Sequence, residues 1–169
     1  MTPARLAIAP VIVVAVAFVL ALVSDRLLSI GPFDRATFGW LVVVPLWAIA
    51  PTVAGFSWRG FASDVRVRSA ISGALAIGGV AAILLWQSVA TPAIGCTPTH
   101  SALELVIPAV VVGAAIGGGY ALACIAGSRE IAIGHVGRGV IYGVVIQLLV
   151  IPAAATLATY LFFGLCQRP

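Results

Sequence analysis

Residues 104–127, ELVIPAVVVGAAIGGGYALACIAG, decide how the rest of the chain is read. A helix crosses a bilayer with about 20 mostly apolar residues, each adding about 1.5 Å against roughly 30 Å of hydrocarbon. This run is long enough, and its one charge, Glu104, stands at its start. Within it Gly113 and Gly117 form a G-x-x-x-G, and Ala121 extends that row. Ala115, Gly119, Ala123 and Gly127 make a second row. Residues four apart share a helix face, so both rows are shallow grooves that another backbone can approach. Lipid tails are as apolar as leucine, so such a helix gains by packing rather than by leaving water. The stretch therefore predicts the central helix of a bundle. Gly117 to Gly119 has neither a preceding strand nor a following lysine, so it is no phosphate loop. A substrate path or hinge is the functional reading of this glycine run, and close helix packing is the simpler one.

The composition agrees with a membrane location. Of 169 residues, 62% are hydrophobic and 8% charged, against about 25% charged in soluble domains. Mean hydropathy is +1.19. The length fits a single domain, residues 1–169. The net charge of +4 comes from arginines scattered between apolar runs, which excludes a nucleic-acid patch. The chain has no lysine, a bias that suits a prokaryotic source.

From this stretch outward, the apolar runs predict an all-α integral membrane bundle of five transmembrane helices, at about 6–23, 38–56, 70–90, 104–127 and 139–164. The first has one early arginine like a signal peptide. Its apolar core continues past Ala21 with no A-x-A site, so it reads as a retained span. Pro10 falls in its first turn or two, where a missing N–H costs least. Trp40 and Trp58 flank the second span and suit the two headgroup regions. Pro45 and Pro51 make that span irregular. The linkers are 57–69, with Arg59, Arg66 and Arg68, and 128–137, with Arg129, Glu130 and His135. Ser101 and Glu104 have capping-box spacing at the start of the fourth span.

Five spans put the termini on opposite sides. With the N-terminus cytoplasmic, Arg5, Arg59, Arg66, Arg68, Arg129 and Arg138 lie inside and Arg26, Arg35 and Arg168 outside. The positive-inside rule selects that orientation, with the C-terminus outside, in a prokaryotic cell membrane. Cys96 and Cys166 then share the outer face, which can be oxidising, and a disulfide between them is expected. Cys124, near the inner end of the fourth span, is expected to pack as a small apolar side chain.

Chemistry has few footholds here. There is no C-x-x-C, H-E-x-x-H, P-loop or nucleophile elbow. His100 and His135 fall on opposite faces, which argues against a shared haem or metal, and no cofactor is expected. Gln147 is the polar residue set deepest in a span; a hydrogen bond to a carbonyl freed by Pro45 or Pro51 is its expected role. No span carries a carboxylate near its middle, which weighs against a proton- or sodium-coupled carrier. His100 and Glu104, at i and i+4, would face each other if the fourth helix began early.

Three functions follow from these residues. The leading one is a non-enzymatic accessory or scaffold subunit that packs, through Gly113, Gly117, Gly119 and Ala121, with copies of itself or a larger membrane complex. The second is a small oligomeric transporter or channel component. The third is an outer-face enzyme using His100 and Glu104. The lipid bilayer is the partner common to all three.

Overall fold

The computed structural model describes residues 3–27, 44–90, 97–98, 104–163 and 166–167. These are helical apart from turns and one short ladder. Five helices run in order: α1 (Pro3–Leu27), α2 (Val44–Ser57), α3 (Ser63–Ala90), α4 (Val106–Ala132) and α5 (Val136–Phe163). Two-residue strands, β1 (Thr97–Pro98) and β2 (Cys166–Gln167), pair antiparallel, with Thr97 opposite Gln167 and Pro98 opposite Cys166.

α4 is central. It packs against α3, α5 and α2, while α1 lies on α2 and α3, and α2 also touches α5. Three helices are long and apolar enough to cross a membrane: Ser63–Gln87 of α3, Val106–Ala132 of α4 and Val136–Leu161 of α5. Their outer faces are aliphatic, with Leu75, Ile107 and Leu149 each about two-thirds exposed or more. A helix apolar on both its packed and its open faces belongs in lipid.

Four of the helices, α1, α3, α4 and α5, are longer than the apolar runs that announce them. The expected linker 57–69 shrinks to a turn over 58–62, because α3 starts at Ser63 with Asp64 in its first turn. The linker 128–137 shrinks to 133–135, because α4 runs to Ala132 with Arg129 in its last turn. Hydropathy marks what hydrocarbon tolerates, whereas the backbone stays helical as long as its hydrogen bonds are met. An acid at an N-terminus and a base at a C-terminus suit the helix dipole. α4 closes with Ile133 as C-cap. Gly134 follows at φ 91°, and the His135 N–H reaches the Glu130 carbonyl at 2.9 Å. Glycine takes that left-handed position without a Cβ penalty, so the helix can stop within three residues.

At its other end α4 begins at Val106, with Leu105 as N-cap and no side-chain cap. This corrects the capping box. A start at Ser101, which lies outside the described residues, would put Pro108 deep in the helix, where it breaks a hydrogen bond. The observed start puts it in the first turn, where its missing N–H is unneeded.

α3 and α4 meet backbone to backbone. A Cβ on Gly78 would come within 2.6 Å of the Gly113 carbonyl oxygen, and one on Gly117 would strike the Ala74 carbonyl. The α3 row Ala74, Gly78, Ala82 thus interlocks with the α4 row Gly113, Gly117. The second α4 row turns toward α5: Gly119 lies under Val150, and Gly127 under Gly139. Ala121 packs against the core from a half-buried position, while Ala115 is exposed.

The main core lies where α1, α2, α3 and α4 converge, around Trp58, Tyr120, Ala54, Ala70, Ile77 and Cys124. Trp58 is wholly buried in the bundle, so its ring lacks the side open to water that an interfacial anchor would have. Its indole N–H donates to the Leu6 carbonyl at 2.9 Å. Pro10 explains the arrangement. α1 begins at Pro3, so Pro10 sits inside the helix rather than in its opening turn, and the carbonyl four residues before it loses its donor. Trp58 supplies one.

That bond also brings the start of α1 to the α2–α3 turn. On the same end Arg66 of α3 donates to the Ser128 carbonyl of α4 at 2.9 Å. Arg5, Arg59, Arg66, Arg68, Arg129 and Arg138 therefore gather at one end of the bundle, against Asp64 and Glu130. Among the described residues that end carries six arginines against two acids, a formal net charge of +4.

Candidate functional site

Most hydroxyls on these helices satisfy themselves locally. Ser69 donates to the Val65 carbonyl, Ser72 to Arg68, Thr156 to Pro152 and Thr159 to Ala155, each four residues back. Ser128 does the same with Ile125, three back. This is the usual economy of Ser and Thr in helices without water.

Four side chains depart from that pattern. The Trp47 indole nitrogen, the Thr52 hydroxyl, the Tyr120 hydroxyl and both amide atoms of Gln147 are buried without a hydrogen-bond partner. A polar group left so in an apolar interior costs about 1–3 kcal/mol or more. Such groups are the places to look for a ligand or water.

Gln147 is the extreme case: like Tyr120 it has no exposed surface, and two of its atoms rather than one lack a partner. It sits on the buried stripe of α5 between Gly143, four residues before it, and Val150, three after. Gly143 lies against Pro51 of α2, with a Cβ there coming within 2.9 Å of the proline Cβ, and beside the Ala123 carbonyl of α4. Val150 packs over Gly119 of α4. The amide thus enters a seam between α2, α4 and α5. The expected hydrogen bond from Gln147 to a freed carbonyl is absent, since neither amide atom has a partner.

Tyr120 and Thr52 were not singled out from sequence. A tyrosine amid the small residues of 113–127 is a polar group at membrane depth, so the signal was present. The Tyr120 ring crosses to α3 and lies over Gly73, which has room for it because it lacks a Cβ. Trp47 borders an apolar cavity of about 100 Å³ with Val11, Val14, Ile77 and Val80, between α1, α2 and α3.

Of the two residues proposed for outer-face chemistry, Glu104 alone is among the described residues. Glu104 is an exposed residue in the turn before α4. His100 lies outside the described residues. The i, i+4 pairing required a helix through both, and α4 starts after Glu104. His135 and Glu130 approach at 3.4 Å across the α4–α5 turn, with His135 half exposed. Cys124 is a buried free thiol. Cys96 lies outside the described residues. Among the described residues no three His, Cys, Asp or Glu side chains gather as a metal site.

Compared with protein-family models, curated proteins and solved structures, the chain matches none of them.

Proposed function

We propose that this is a five-span membrane protein that acts as a non-enzymatic accessory or scaffold subunit, alone as a homo-oligomer or within a larger complex. The carrying observation is the division of its surface. Among the described residues most arginines collect at one end, and the long outer faces of α3, α4 and α5 are aliphatic. Such faces suit lipid or another apolar helix. By the positive-inside rule the arginine end is cytoplasmic. α1, at 25 residues, is long enough to cross. α2 adds 14 residues, and the apolar sequence at 38–43 precedes it.

Gly113, Gly117 and Gly119, expected from sequence to hold a partner, are covered by α3 and α5 of the same chain. Contact with a second copy or another subunit then falls to the open side of α4. There Gly118 has nothing within 4 Å of where a Cβ would stand, and Ala114 is exposed one turn before it. Purification in mild detergent with mass determination of the intact particle tests this reading. A stoichiometric partner or a defined homo-oligomer supports it; a lone monomer that transports a solute on reconstitution rejects it.

A transporter or channel component is the second reading. The buried, partnerless amide of Gln147 favours it, because polar groups held within a bilayer often mark a conducted species. Loss of uptake in Gln147→Leu with unchanged assembly would select it.

A Cys96–Cys166 disulfide on the outer face belongs to the same proposal. The β1–β2 ladder supports it only by bringing the two segments side by side, with Cys166 opposite Pro98, two residues after Cys96.

A further inference from the structure

We propose that the seam between α2, α4 and α5 holds a buried water, bound between the Gln147 amide and the main-chain carbonyl of Trp47. This rests on buried groups and helix register, and does not depend on the accessory reading.

The first observation is the amide itself. Gln147 is completely buried, and its oxygen and nitrogen both lack a protein partner. A primary amide offers two donors and an acceptor, and hydrocarbon supplies nothing in exchange.

The second is Pro51. It lies inside α2 and has no N–H, so the Trp47 carbonyl four residues back has no helical donor. The third is register. α2 ends at the arginine end and α5 begins there, so the two helices run antiparallel. Gly143 meets Pro51 directly. Four residues further on, about 6 Å along each axis, α5 reaches Gln147 while α2 has gone back to Trp47. The amide and the orphaned carbonyl therefore share a level, on facing helices.

A comparison within the chain sharpens this. Pro10 creates the same vacancy in α1, and Trp58 fills it directly. At Pro51 the group at the right level is Gln147, yet it makes no direct bond. A single water satisfies both sides: it donates to the carbonyl and to the amide oxygen, and accepts from the amide nitrogen. Three bonds is the usual complement of a buried water. Gly119 and Gly143 take Val150 and Pro51 into the space their own side chains would fill, which draws α2, α4 and α5 close around the amide.

The test is proton-detected solid-state NMR on the full chain, labelled with ¹⁵N-glutamine, in lipid bilayers. Gln87, Gln147 and Gln167 are the three glutamines, and Gln147→Met assigns the central signal by its loss. The expected result is a water cross-peak on the Gln147 amide in the wild-type protein. In Pro51→Ala, which keeps the Cβ against Gly143 and restores the Trp47 donor, that cross-peak should weaken by about half or more as one of three partners is lost. Absence of the cross-peak in the wild type would overturn the proposal without any variant. So would a cross-peak indifferent to Pro51→Ala, or direct contact between the amide and the Trp47 carbonyl carbon. A Gln147 amide shift that changes when sodium replaces potassium would identify a cation instead of water.

Discussion

Trp58 and Leu6 are joined by an indole-to-carbonyl hydrogen bond of 2.9 Å across 52 positions of sequence, and Pro10 creates the need for it. A helix-interior proline leaves an acceptor that lipid cannot satisfy. The tryptophan that satisfies it is itself fully buried, so bond and packing stabilise the same junction of α1 with the α2–α3 turn. Trp58→Phe keeps most of the ring volume and should lower stability by about 1–3 kcal/mol, the cost of a buried acceptor left without its donor. In a Pro10→Ala background the helix supplies its own donor, and the same substitution should cost distinctly less. A double-mutant cycle in detergent unfolding measures the coupling; equal costs in the two backgrounds would remove the proline from the explanation.

The α3–α4 seam predicts a contrast between adjacent glycines. Gly117 faces the Ala74 carbonyl, while Gly118 faces open space. Gly117→Leu should prevent the two helices from closing and give protein that aggregates on extraction. Gly118→Leu should leave the fold intact and, on the proposed assembly, reduce particle mass in mild detergent. Size-exclusion chromatography with light scattering distinguishes the outcomes. A folded Gly117→Leu protein would mean that the seam tolerates separation.

Arg66 should matter for stability beyond its charge. Its guanidinium donates to the Ser128 carbonyl just before the last turn of α4, where a cation also lies near the negative end of the helix dipole. Arg66→Gln should cost about 1–2 kcal/mol in thermal or chemical unfolding. Arg68→Gln, at an exposed site, should cost less than about 0.5 kcal/mol.

Oxidation at the β1–β2 ladder is open to a direct test. If Cys96 and Cys166 are bridged, thiol labelling of intact oxidised membranes should fail at both and succeed after reduction, and Cys96→Ser should expose Cys166. Cys124, buried among core side chains, should label only on unfolding. Free labelling of Cys96 and Cys166 before reduction would dismiss the bridge.

Some of this was legible in sequence because it depends on single stretches. Apolar length gives three helices able to cross a membrane, and four-residue spacing marks Gly113 and Gly117 as places of close approach. The use of those glycines could not be read there. Spacing shows that a face is shallow but not which helix lies in it, and the matching row Ala74, Gly78, Ala82 gained meaning when α3 came alongside. Trp58 shows the same limit: beside arginines at the end of an apolar run it resembles an interfacial anchor.

By itself the sequence determined a helical chain with segments long and apolar enough to cross a membrane, and the uneven placing of its arginines, since hydrocarbon thickness and desolvation act on each segment alone. Only the tertiary structure decided which polar groups find partners. The Leu6 carbonyl is satisfied by a residue 52 positions away, while Gln147 enters a seam where no protein atom answers it. Hydrogen bonds in a dry interior depend on distances between helices, and packing sets those distances.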